Sequence, residues 1–185
     1  MSLFLAISIF WVAFEIFLSR KKRSPGENKK HDNSSLKVLW ITLVFSISLG
    51  IFISRFNMGR IEIQSPLIHY FGLLLIISGL IMRWIAILQL KEFFTVTVSI
   101  HKNHKVVDTG IYKYIRHPAY FGSLLSFLGL GFALQNWLTI IVIFLPIFAA
   151  LSYRIYIEEK VLSEQFGEEY SNYASRTQKL IPWIF

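Results

Sequence analysis

The chain contains no cysteine, few acidic residues and little charge of either sign. Without cysteine there is no disulfide, no thiolate metal ligand and no cysteine nucleophile. Charged residues make up only 16% against 54% apolar, too little polar surface for a soluble domain of 185 residues. Metal-binding spacing is also missing: His101 and His104 lie three apart, but no HExxH or similar set accompanies them, so no metal is expected. Nor is there a glycine-rich dinucleotide fingerprint. The net charge of +8 could suit a nucleic acid. However, the basic residues fall in short loops between apolar runs, where anionic lipid head groups would meet them. Membrane lipids are therefore the expected partners, and nucleic acid is not.

What the chain has in abundance is long apolar runs. A helical span needs about 20 largely apolar residues. The first candidate covers Ser2 to Leu18 and contains Glu15, close enough to the helix end to snorkel. Its basic cluster follows the apolar run instead of preceding it, so it reads as a retained helix and not as a signal peptide. Leu36 to Ser54 is the second span, and the third runs from Pro66 to about Leu90. Pro118 to Leu134 and Trp137 to about Ile157 form a helical hairpin around the turn signal Gln135-Asn136, with Pro146 expected to kink its second arm. Between them lies Lys91 to His117, whose β-branched centre Thr95 to Ile100 reads as extended or irregular. A polar helical tail follows from Glu158 to about Ser175, and Pro182, Trp183 and Phe185 suit a membrane interface.

The expected fold is thus an all-α integral membrane protein, a single membrane domain over 1–185, with five transmembrane helices including a C-terminal helical hairpin. The loop at 19–35 holds Arg20, Lys21, Lys22, Arg23, Lys29 and Lys30, which makes it cytoplasmic by the positive-inside rule. The N-terminus is then outside, and the 91–117 segment and the C-terminal tail are both inside.

Three places could carry chemistry. Pro118 opens a membrane helix, and Arg116 and His117 stand just before it. Free N–H groups and the helix dipole there favour an anion. The same residues also suit a basic interfacial anchor with Tyr112, Tyr114 and Tyr120 as belt aromatics, and composition favours that simpler reading. Arg154 and Glu158 share a helix face four residues apart, either as an ordinary ion pair or as the lining of a polar cavity. Arg83 lies inside the third span, where an arginine is costly unless paired or facing a cavity.

These residues occur in an order that resembles the isoprenylcysteine carboxyl methyltransferase family, within a wider group that includes phospholipid methyltransferases. The resembling stretch runs from Gly79 to Pro182. It comprises Gly79, Arg83, Ala86 and Phe94, then His104 through Tyr112, then Arg116-His117-Pro118-Ala119-Tyr120-Phe121-Gly122. Beyond the hairpin come Arg154, Glu158-Glu159, Phe166-Gly167-Glu168-Glu169-Tyr170, Tyr173 and Ile181-Pro182. Residues 1–65 carry no such motif, which leaves 66–185 as the core. The resemblance implies an enzyme using S-adenosyl-L-methionine in a cytosol-facing pocket. His104, Lys105, Val106, Val107, Tyr112, His117, Pro118, Ala119, Tyr120 and Glu158 would line the cofactor site. Arg154 would face the methyl acceptor, and Arg83 would help to organise that side. The implied acceptor is the carboxylate of prenylcysteine or a related lipid-like acid. Transfer to phospholipid amines or small thiols is the alternative within the group, and an NADPH-dependent sterol-reductase-like oxidoreductase is the alternative outside it.

Overall fold

The computed structural model describes residues 2–21, 29–56, 58–61, 66–91, 94 and 106–180. Six α-helices and one short 3-10 turn account for most of them: α1 (Ser2–Lys21), α2 (Lys29–Ser54), α3 (Pro66–Leu90), the turn Gly110–Lys113, α4 (Pro118–Ala133), α5 (Trp137–Phe166) and α6 (Glu168–Ser175). Within α2, α3 and α5 lie three stretches long and apolar enough to cross a membrane, namely Ser34–Ser54, Pro66–Leu90 and Trp137–Phe166. α1 and α4 contribute the shorter apolar helices Leu3–Ala13 and Pro118–Ala133. The protein is a multi-pass membrane protein, and large apolar side chains such as Ile41, Phe45, Leu67 and Leu88 face outward accordingly.

Local chemistry sets the helix ends. Pro118 occupies the first turn of α4, where its missing N–H costs nothing. Asn136 caps α5, its Oδ1 accepting from the Thr139 N–H at 3.0 Å. Gly167, at φ +52°, ends α5, and α6 restarts at once with Glu168 and Glu169 in its first turn. α5 runs unbroken to Phe166, so the expected polar helical tail from Glu158 continues the last span directly, with no breaker before Gly167. α2 begins at Lys29, ahead of the expected Leu36. Pro146 lies inside α5, and the helix continues past it.

α3 and α4 pack backbone to backbone through small residues. A Cβ on Gly72 would stand 2.3 Å from the Ala133 N, and one on Gly79 would stand 2.4 Å from the Gly122 carbonyl. Ser126 Oγ donates across this seam to the Ile76 carbonyl at 3.2 Å. α5 packs in turn on α2, where Thr139 Oγ1 donates to the Gly50 carbonyl at 3.1 Å. The hairpin tip is stitched to the α2–α3 linker: the Trp137 N–H donates to the Gly59 carbonyl at 2.8 Å and Asn136 Nδ2 to the Met58 carbonyl at 2.8 Å. α1 lies against α3 and α4, with Trp11 tilted on Phe127 at 4.9 Å. With both connections of this end pinned, the polar residues of α1, α3, α4 and α5 gather at the other.

Candidate functional site

The start of α4 and the Arg154–Glu158 turn of α5 meet directly. The Tyr120 hydroxyl donates to Glu158 Oε2 at 2.8 Å and accepts from Arg154 Nε at 2.9 Å. Arg154 and Glu158, one helical turn apart, are therefore joined by a third residue from across the hairpin. Arg154 is 3% exposed, and its Nη1 also donates to Ser35 Oγ at the start of α2, 3.2 Å away.

A second cluster lies beside the first. Glu159 Oε1 accepts from Arg116 Nε at 2.8 Å and faces His117 Nε2 at 3.4 Å, while Oε2 meets Lys179 Nζ at 3.0 Å. Arg116 Nη1 donates to the Ala174 carbonyl at 2.9 Å and to the Thr177 carbonyl, fastening the end of α6 to this cluster. The chain after α6 pairs alongside residues 114–117: the Arg116 N–H reaches the Gln178 carbonyl at 2.8 Å and the His117 N–H the Lys179 carbonyl at 3.1 Å. The His117 side chain makes no capping bond to α4, and its ring stacks on Tyr120 at 5.7 Å. Its carbonyl accepts from the N–H groups of Tyr120 and Phe121, which leaves the Ala119 N–H outside these bonds.

Tyr112, Ala86 and Ala119 form a small buried core against which Val107 packs. The Tyr112 hydroxyl donates to the Ala86 carbonyl at 3.3 Å, and the Tyr112 carbonyl accepts from the Tyr173 hydroxyl at 2.8 Å. Burial pushes both phenols well above their ordinary pKa, so both remain protonated donors. Gly110, at φ +60°, lets the chain press against Gln89, whose Oε1 accepts from the Ile111 N–H at 3.0 Å. Arg83 is held along one edge by the Glu15 carboxylate, Nε to Oε1 at 2.7 Å and Nη2 to Oε2 at 2.9 Å, while Nη1 donates to the Ala119 carbonyl at 3.3 Å. Glu15 is thus a partner of Arg83 inside the molecule, where the sequence suggested a snorkelling side chain.

Among the expected site residues, Tyr112, His117, Pro118, Ala119, Tyr120, Arg154 and Glu158 come together at this end of the bundle, and Arg83 joins them through Ala119. Val106 and Val107 lie on the segment leading to Gly110. His104 and Lys105 lie outside the described residues, as do Thr95 to Ile100, Pro182, Trp183 and Phe185. Sequence reasoning gave no role to Glu159, whose carboxylate meets Arg116, His117 and Lys179. The signal was its adjacency to Glu158: about 100° apart on a helix, neighbouring carboxylates face different partners.

Apolar helices of membrane-spanning length, with Glu15, Arg83, Arg154 and Glu158 held in polar contacts around the start of α4, define a polytopic membrane protein. Residues 67–169 match the family model described as Phospholipid methyltransferase. A probable protein-S-isoprenylcysteine O-methyltransferase from Oryza sativa subsp. japonica is 34% identical over 119 residues, covering 63% of this chain and 62% of that protein. The protein-S-isoprenylcysteine O-methyltransferase of Saccharomyces cerevisiae is 33% identical over 125 residues, 66% of this chain and 52% of that one. A solved structure of the eukaryotic intramembrane Ras methyltransferase (isoprenylcysteine carboxyl methyltransferase), without a monobody, aligns with a TM-score of 0.60 at 29% identity, over 78% of this chain and 52% of that one. The chain belongs to the phospholipid methyltransferase family and groups there with the isoprenylcysteine carboxyl methyltransferases. It matches at most about three fifths of the length of these relatives.

Proposed function

We propose that the protein transfers a methyl group from S-adenosyl-L-methionine to the carboxylate of prenylcysteine or a related lipid-like acid at the membrane. The observation that carries this reading is the Tyr120 hydroxyl, which joins Arg154 to Glu158 and so couples an anion-binding side chain to a cation-binding one. A zwitterionic amino-acid cofactor needs both kinds of partner. The α4 N-terminus with its Ala119 N–H, beside the His117 ring, suits a carboxylate. Glu158 Oε1 suits an ammonium or a ribose hydroxyl. His104, Lys105, Val106 and Val107 complete the cofactor site in this reading.

When bound, the cofactor supplies an electrophilic sulfonium methyl. A carboxylate acceptor has an ordinary pKa near 3.5 and is already ionised at neutral pH, so the protein need supply no general base. Its residues provide alignment and a partly dry site. Arg154 holds the acceptor carboxylate through paired hydrogen bonds, and Tyr120 fixes its Nε edge. Arg83 holds the α4 side of the site through the Ala119 carbonyl. The 16 residues of α4 reach only about 24 Å, short of a hydrocarbon core of about 30 Å. With the hairpin tip at one interface, its first turn is drawn below the other, within reach of a lipid-anchored acceptor. This reading takes five spans over one membrane unit with 66–185 as its core, and the basic loop at 19–35 supports a cytoplasmic side for this end, with the N-terminus outside.

Phospholipid amines are the second reading, which the family description favours. An amine must lose a proton before attack, and the cationic Arg154 works against it. The first test is thermal stabilisation of the purified protein. S-adenosylhomocysteine should raise the melting temperature at millimolar concentration and NADPH should not. No shift with S-adenosylhomocysteine would sink the reading. Methyl transfer to a farnesylated cysteine analogue, compared with a phosphatidylethanolamine vesicle, then separates the acceptors.

A further inference from the structure

Two side chains from outside the matched segment 67–169 reach the two arginines of the site. We infer that the N-terminal helices are part of the working site, with Glu15 of α1 positioning Arg83 and Ser35 of α2 positioning Arg154. This rests on the methyltransferase reading above and adds two residues to it.

Neither α3 nor α4 contains an aspartate or glutamate. Arg83 therefore has no counter-charge on its own helix or on α4, although a guanidinium among apolar side chains demands one. Glu15, the one acidic residue of α1, supplies it from 68 positions earlier. The contact is bidentate, at 2.7 and 2.9 Å, and the two side chains are only 14% and 26% exposed. Because a guanidinium is planar, a bidentate hold on its Nε/Nη2 edge also fixes the direction of Nη1. Nη1 meets the Ala119 carbonyl, one residue before Tyr120. Glu15 therefore sets the first turn of α4 through Arg83. Ser35 acts in parallel: its hydroxyl is in a side chain 1% exposed and accepts from Arg154 Nη1, while Tyr120 holds Nε. Two helices thus hold the plane of the guanidinium that faces the acceptor.

The test uses the full chain, S-adenosylmethionine and a farnesylated cysteine analogue, with donor and acceptor varied separately. Glu15→Gln keeps the shape and removes the charge. Its kcat should fall about tenfold or more, with the donor KM changed by less than about threefold and the S-adenosylhomocysteine melting shift retained. Glu15→Asp keeps the charge but cannot keep both contacts, and should give an intermediate kcat. Ser35→Ala should raise the acceptor KM about threefold or more, with the donor KM unchanged. Near-wild-type kcat in Glu15→Gln overturns the inference. So does a loss of kcat accompanied by loss of the melting shift, which is general collapse. If Glu15→Gln does not fold, Glu15→Asp decides, and a wild-type kcat there overturns the positioning role. An inactive wild-type chain with no melting shift instead overturns the methyltransferase reading, and this inference with it.

Discussion

At the scale of single residues, Tyr120 and Glu159 each join groups that lie far apart in the sequence. Tyr120→Phe keeps the ring against His117 but removes the bonds to Arg154 and Glu158. Methyl transfer should fall about tenfold to a hundredfold in kcat/KM, with little change in melting temperature, measured against the same farnesylated acceptor. Arg154→Ala should cost at least as much, and full activity in that variant would refute its role. Glu159 is different because it holds Arg116, His117 and Lys179 together. Glu159→Gln leaves partly buried cations short of their anion and should cost on the order of 3 kcal/mol of stability, read by thermal melting. The sequence offered Glu158 and Glu159 as a pair, and nothing in it says which neighbour each one meets. Glu15 shows the same limit. Its place near a helix end suggested a side chain reaching for water, whereas a partner on another helix competes for it.

At the scale of elements, the helices themselves were legible. Apolar run length and helix-end chemistry placed α3 at Pro66–Leu90 and the start of α4 at Pro118, where the structure has them. The polar start of α2 was not, because hydropathy registers where a span stops being apolar and not where the backbone stops being helical. The seam between α3 and α4 was also missed, although its signal is present. Gly72 and Gly79, and Gly122 and Gly129, are each seven residues apart, two turns on one face. At Gly72 a new methyl would meet backbone atoms of Ala133 and Gly129, which cannot swing aside. Gly72→Val should therefore lower the melting temperature sharply, with an overpacking cost of about 1–3 kcal/mol or more. By contrast, a Cβ at Gly167 meets nothing within 4 Å, so any cost of Gly167→Ala is that of its positive φ alone.

At the scale of the whole molecule, the linker at 58–61 and the hairpin tip meet at one end, while Glu15, Ser35, Arg83, Tyr120 and Arg154 meet at the other. The proposed orientation can be read directly, since the cysteine-free chain permits single introduced thiols. In sealed inside-out vesicles, cysteine at Tyr114, 66% exposed, should react with a membrane-impermeant maleimide, and cysteine at Met58, 72% exposed, should not. In right-side-out vesicles the two should exchange behaviour. Labelling of both from the same side would refute the five-span arrangement.

The sequence by itself determined that this protein lives in a membrane as a helical bundle and that its polar residues belong near the start of α4 and around Arg154 and Glu158 of α5. Those properties follow from composition, run length and local helix chemistry, which act over a few turns of chain. Only the tertiary structure decided that Tyr120 stands between Arg154 and Glu158, that Glu159 belongs to Arg116, His117 and Lys179, and that the motif-free helices α1 and α2 supply Glu15 and Ser35. Contacts of this kind depend on which faces of five packed helices meet. Close approach of the glycine-lined backbones and the need of each buried charge for a partner decide that, and neither appears in any one stretch of the chain.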